Sequence, residues 1–423
     1  MSALIRIAAR FGARVSGSDR SESEAFSLLR KEGFDVYLGE RAERAKEADV
    51  VVYNAAIRSE NAELVAAGER AVPRAEFLAR ICSLFHRTIA VSGTHGKTTV
   101  SAMIACCAAA GSERFSAHIG GVVGNFASNT FLAGEDLFIT EACEYKDSFL
   151  SLSPDVAVIL NMENDHSDYF ESVEAIYRSF SAFAARVRSG GTLILGDKVS
   201  SHIDLCARED IRIYRYGEDF SVERAENSGF YLCVKGEEPR FFLTPAKGSH
   251  NRYNAAVAAF TCLKAGMKED AVRMGLAAFL GVKRRYEYMG DTLCGAPVVH
   301  DYAHHPSEIA AVMKVAREET DGRVILVFEP HTYSRTKGLF RDFAQILSTA
   351  DVLVMLPTYS ARELPAEGVD AQTLFCAVTA PEKYYFRTYD RAKGVIDRIA
   401  RSRDIVLILG AGKVESLAAT FRK

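Results

Sequence analysis

Apolar residues in this chain gather in short blocks bounded by glycine, serine and aspartate, and between the blocks they recur at helical spacing. A short apolar block, a turn and then a helical-period stretch predict a buried parallel strand feeding a helix. Residues 2–11 read as an amphipathic helix, 13–15 as a strand, 16–19 as a turn, and 34–37 and 49–53 as further strands. This is half of a nucleotide-binding βαβ fold whose opening strand is missing. Strands are next expected at 88–91, 136–141 and 154–161, with a helix over 100–110. From 190 to 242 strands alternate with polar turns, and an alanine-rich helix runs from about 249 to 265. Four more strands, at 296–300, 324–328, 351–356 and 404–409, alternate with helices. The fold class is therefore α/β in three domains. These are an incomplete Rossmann-like domain (1–85), a central parallel sheet (86–283) that is phosphate-loop ATPase-like because its first strand runs into Gly93-Thr94-His95-Gly96-Lys97-Thr98-Thr99, and a C-terminal Rossmann-like α/β domain (284–423).

Bulk composition changes this picture little. At 423 residues the chain is long enough for several domains, each with its own core. A formal net charge of −3 gives no electrostatic case for nucleic acid or an anionic membrane. Nine scattered cysteines without a Cys-x-x-Cys predict reduced, mostly buried thiols in a cytoplasmic protein. No apolar run approaches the roughly 18 residues of a membrane span, and Met1 leads straight into an amphipathic helical pattern where a secretory signal would need a longer apolar core. A monomer or weak homodimer is expected.

The chemistry concentrates at Gly93-Thr94-His95-Gly96-Lys97-Thr98-Thr99, between an apolar block and a helical run. Strand, glycine turn and helix are the setting in which backbone N–H groups cradle phosphate. Lys97 then faces the β- and γ-phosphates of ATP, and the Thr98 hydroxyl is a ligand for Mg²⁺. The generic motif is only partly met, because Val91 stands where its first glycine belongs. Two later strands end near acids and a histidine: Glu141, with Glu144 as its rival, and His166. One carboxylate, one hydroxyl and the nucleotide oxygens suffice for Mg²⁺. Residues 120–125 form a glycine-rich turn, read either as a sugar contact or as a plain loop. Asn251 and Asn254 lie three apart on one helix face, where amides can read an adenine edge, although Asn251 alone also serves as a helix cap.

Gly-Thr-His-Gly-Lys-Thr-Thr resembles the phosphate loop of the Mur ligases, the ATP-dependent amide-forming enzymes of peptidoglycan synthesis, and His95 points to the branch that uses UDP-N-acetylmuramate. The octet Glu329-Pro330-His331-Thr332-Tyr333-Ser334-Arg335-Thr336 resembles that of the alanine-adding members. The resemblance implies that family members open with a strand and glycine turn just before Met1, which then looks like an internal methionine, and that this turn wraps the UDP diphosphate. It implies His166 as a further metal ligand, Asp301 on the ATP ribose, Arg285 near the nucleotide, and Tyr302 and His304 near muramate and amino acid. Arg335 becomes the carboxylate clamp, since guanidinium binds carboxylate bidentately. Thr332 departs from relatives that carry arginine there. The implied reaction ligates L-alanine to UDP-N-acetylmuramate through an acyl phosphate, with His304 and His331 both open as the base. Alternatives are a ligase that reattaches recovered tripeptide, a folyl-polyglutamate-type ligase, and a nucleotide-binding protein without ligase activity.

Overall fold

The computed structural model describes residues 1–422 except 165–168, 205–207, 227, 362 and 365–367. It divides into two compact units. One contains Met1–Met162, Glu174–Leu243 and Ala255–Phe279, and the other Glu163–Val173, Thr244–Asn254 and Leu280–Lys423.

The first unit opens with two parallel strand pairs, Ser16–Asp19 with Asp35–Leu38 and Val51–Tyr53 with Ala71–Pro73. The expected turn at 16–19 is thus a strand, and the strand expected at 13–15 does not form. Its residues are small, polar and largely exposed, so the ladder rests on backbone pairing that no apolar pattern reports.

A seven-stranded sheet dominates the unit, in the order Arg212–Arg215, Thr192–Leu195, Val156–Ile159, Arg87–Ser92, Leu137–Glu141, Phe115–Val123, Ser128–Leu132. Only the last pair is antiparallel. Arg87–Ser92 sits at the centre, and its neighbours are buried on both faces, which is why they read as unbroken apolar runs. Helix Lys97–Ala110 is buried from Thr98 to Ala108 and carries no amphipathic period. Its close neighbour Glu269–Ala277 approaches through Gly275, where a Cβ would stand 2.4 Å from the Cys107 Cα. Phe149 stacks on Phe183 at 4.7 Å to extend the core. The glycine turn expected at 120–125 is a strand as far as Val123, with the reversal following it. Gly120 stays side-chain-free because a Cβ there would lie 2.8 Å from a Glu141 carboxylate oxygen.

The second unit holds a six-stranded sheet: Glu287–Asp291, Pro297–Asp301, Ile405–Leu409, Val324–Phe328, Val352–Met355, Glu382–Tyr385. All neighbours are parallel except the first pair. Two of these strands exceed the four expected. Glu382–Tyr385 is a half-buried edge whose Glu-Lys-Tyr-Tyr sequence lacks an apolar block. Cores pack on both faces, around Phe328 and Phe343 on one and around Ile325, Val406 and Ile408 on the other.

Among the described residues no helix is long and apolar enough to cross a membrane. Cys82, Cys106, Cys107 and Cys262 are buried, whereas Cys143, Cys294 and Cys376 are exposed, so burial of the thiols is less general than expected.

Candidate active site

The strand Arg87–Ser92 delivers the phosphate loop to the C-terminal edge of the central sheet. Gly93 takes φ +134° and passes so close to the next strand that a Cβ would lie 3.0 Å from that of Leu160. Gly96, at φ +87°, caps the buried helix that follows. Asn161 pins the loop between them. Its carbonyl accepts from Thr94 N at 3.2 Å, its Oδ1 from His95 N at 2.8 Å, and its Nδ2 donates to His95 O at 3.1 Å. Lys97 folds back over this turn. Its ammonium donates to the carbonyls of Gly93 and Thr94, the latter at 3.0 Å, and pairs with Glu144 at 2.9 Å. Burial is the largest single influence and pulls the Lys97 pKa down, but Glu144, Cys143 and Glu141 together outweigh it and the net shift is upward. The lysine therefore stays charged. Thr98 and Thr99 are buried in the first turn of the same helix.

The two carboxylates considered for the metal differ sharply in setting. Glu141 is bound to the amide of Gly120. Glu144 has a side chain 4% exposed and lies against Lys97. Beneath Glu141 runs a relay that the sequence did not disclose. Arg74 Nη2 lies 3.1 Å from His118 Nε2, and His118 Nδ1 lies 3.2 Å from Thr140 Oγ1, which donates to Glu141 O at 3.1 Å. Because guanidinium only donates, Nε2 accepts and Nδ1 carries the proton. Burial, reinforced by the Arg74 charge, holds the His118 pKa down at about 3, so this ring stays neutral. His166 lies outside the described residues.

In the second unit Asn254 Nδ2 donates to Asn251 Oδ1 at 3.2 Å, and Asn251 Nδ2 to Lys247 O at 2.8 Å. The two amides do share a helix face and engage each other.

The C-terminal edge of the six-stranded sheet gathers the remaining predicted residues. Asp301, at the end of Pro297–Asp301, accepts from Tyr286 N and Ala303 N, both at 2.7 Å. Burial pushes its pKa up to about 6 against the opposing Arg285 charge. Arg285 lies over the Tyr302 ring at 5.3 Å. Tyr302, His304, His331 and Tyr359 form a chain of rings with centroids 5.2, 5.7 and 5.6 Å apart in turn. Arg335 Nη1 reaches His331 Nδ1 at 3.2 Å. His304 Nδ1 contacts the Tyr302 carbonyl at 2.9 Å, so it carries the proton and Nε2 the lone pair. At His331 the order reverses, because Nδ1 must accept from arginine. Glu308 fixes the preceding turn by accepting from His304 N at 3.0 Å.

A phosphate loop on the parallel sheet of one unit, and a strand-edge cluster of imidazoles and guanidinium on the sheet of the other, together define an α/β nucleotide-dependent group-transfer protein. Comparison with known proteins makes this specific. Residues 1–86 match the Mur ligase family catalytic domain, 91–262 the Mur ligase middle domain, and 284–412 the Mur ligase glutamate ligase domain. A UDP-N-acetylmuramate–L-alanine ligase of Allorhizobium ampelinum is 35% identical, the match covering 99% of this chain and 93% of that protein. One of Agathobacter rectalis is 33% identical over 100% and 95% respectively. The crystal structure of a UDP-N-acetylmuramate–alanine ligase from Thermotoga maritima has the same fold, with a TM-score of 0.82 at 21% identity over 100% of this chain and 95% of that one. The chain belongs to the Mur ligase family. It is accordingly an ATP-dependent ligase that forms a C–N bond between an acid and an amino acid.

Proposed function

We propose that this protein joins L-alanine to the lactyl carboxylate of UDP-N-acetylmuramate, at the expense of ATP, in cytoplasmic peptidoglycan precursor synthesis. The observation that carries the reading is the convergence of Tyr302, His304, His331 and Arg335 at one strand edge. That convergence supplies a carboxylate clamp and a nitrogen base together. Relatives named for this activity at 33% to 36% identity support the substrate choice. The domain division 1–85, 86–283 and 284–423 is supported by the three segments that match the family.

In this mechanism the loop amides and Lys97 hold the triphosphate, and Lys97 neutralises charge as the γ-phosphoryl group moves to the carboxylate, breaking its bond to ADP. Turning Lys97 towards phosphate takes the ammonium from the buried Glu144 carboxylate. That carboxylate, almost wholly buried beside the loop, is a hard oxygen donor of the kind a divalent cation takes. Mg²⁺ would be held by Thr98 and Glu144 as oxygen donors, with His166 as the family's further ligand, and Glu141, which is tied to Gly120, would be the alternative carboxylate. When bound, the metal shields the phosphate oxygens. Asp301 and Arg285 serve the ribose and phosphates, and Asn251 and Asn254 the adenine. Arg335 holds the L-alanine carboxylate. His304 Nε2 takes the amine proton as nitrogen attacks the acyl phosphate, and phosphate leaves. His331, whose Nδ1 is occupied by Arg335, orients the clamp.

The test is phosphate release from ATP with UDP-N-acetylmuramate, with and without L-alanine. Release requiring both co-substrates is expected. Preference for an L-alanyl tripeptide over L-alanine would reassign the substrate, and ATP binding without release would remove the ligase reading.

A further inference from the structure

The segment carrying His331 and Arg335 is held in a conformation its own sequence disfavours. Thr332 caps the short helix Tyr333–Gly338 with φ +67° and ψ 148°, a region β-branched residues avoid. Such a conformation persists only where neighbouring groups impose it. They come from the strand-end loop after Val352–Met355. Thr332 N donates to Tyr359 O at 2.9 Å, and Tyr359 N to Pro330 O at 2.8 Å, a two-residue parallel bridge. Beyond it, Glu363 closes the clasp. Its Oε2 accepts from Tyr333 N at 2.6 Å and Ser334 N at 2.9 Å, and its Oε1 from the Ser334 hydroxyl. One carboxylate thus takes up both leading N–H groups of the helix on which Arg335 stands. Arg335 follows directly, with its guanidinium on His331.

We propose that Glu363 is a positioning residue for amino-acid binding. It fixes the strained Thr332 cap and so aims the Arg335 clamp, without itself touching substrate. This rests on reading Arg335 as the L-alanine carboxylate clamp. Loss of the carboxylate lets Thr332 relax to negative φ and swings the guanidinium away. Misplacement of a binding group by about 1 Å can cost up to a hundredfold; we expect E363A to raise KM for L-alanine about tenfold. KM for ATP and for UDP-N-acetylmuramate should change by less than about twofold. E363Q, whose amide oxygen still accepts both N–H groups, should stay close to the parent. In E363D the shorter arm cannot reach both and should fall between. Glycine tolerates φ +67°, so T332G added to E363A should recover much of the lost alanine affinity.

The experiment is steady-state kinetics on the full chain for these four variants, with amide hydrogen exchange followed at Tyr333 and Ser334. Faster exchange at those two amides in E363A, a selective rise in alanine KM and its reversal by T332G support the proposal. An equal loss in all three KM values, an unchanged alanine KM or no recovery with T332G overturns it. Parent turnover that does not depend on L-alanine would overturn the clamp reading instead, and the exchange result would then report on the clasp alone.

Discussion

The phosphate loop and the histidine cluster both sit at the C-terminal edge of a mostly parallel sheet, yet they are built on opposite principles. The loop is a contiguous run whose backbone forms the binding surface, with full charges arranged around it: Lys97 against Glu144. The cluster draws on three separate strand ends, and its parts are rings, a guanidinium and hydrogen bonds that set tautomers. A backbone cradle tolerates many neighbours but depends on its charge balance. A side-chain cluster depends on aim. Substitutions in the first region should therefore register as loss of chemistry or stability, and those in the second as separable changes in kcat and KM.

The largest expected effect is Lys97→Met, which removes the charge that follows the phosphoryl group. Turnover should fall by about a hundred- to a thousandfold. Residual turnover within tenfold of the parent would show that the loop amides suffice and that the charge is dispensable. Glu144→Gln sharpens the same point through stability. It takes from the part-buried Lys97 the carboxylate nearest to it, and removing one member of a buried pair costs about 3–5 kcal/mol. Thermal melting should drop accordingly, with partial recovery on adding ATP and Mg²⁺, whereas Glu141→Gln should melt near the parent. Equal losses in the two would put both carboxylates on the same footing.

In the cluster, His304→Ala should lower kcat by about a hundredfold with little change in KM for L-alanine, as loss of a base requires. His331→Ala should mainly raise that KM, because its Nδ1 holds Arg335. The reverse split would exchange the roles of the two rings.

These contrasts also explain what could be read before the fold was known. Strand, glycine turn and helix around Lys97 are local, and local order is written in consecutive residues. Val324–Phe328 was legible for a similar reason, because burial on both faces leaves an unbroken apolar run. Ser16–Asp19 and Glu382–Tyr385 were not, since their ladders form with few buried apolar side chains. Asn161 and His118 escaped notice as parts of the site because sheet register, pairing Ala90 with Ala157 and Ala117 with Ile139, brings distant polar groups to one edge. No spacing in the sequence encodes that register. Tyr302, His304, His331 and Arg335 were named through family likeness, while Glu363 was passed over because a capping carboxylate in a loop carries no periodic signal.

Asp301 belongs to the cluster by position but behaves like a charge of the loop, and it gives the smallest and most discriminating test. Burial raises its pKa from 3.8 to about 6. A raised carboxyl holds its proton more tightly folded than unfolded. Its contribution to stability is therefore fully present below the unfolded pKa, declines as pH rises between the two values, and is flat above about 6. The ionised form is the better acceptor for ribose hydroxyls. KM for ATP should thus rise a few-fold as pH falls below about 6, while KM for L-alanine, governed by the Arg335 clamp, should not follow it. Asp301→Asn should remove both the stability slope and the ATP trend. An alanine KM that tracked the same titration would mean that Asp301 acts on the clamp through Tyr302, and the separation of nucleotide and amino-acid functions along this edge would fail.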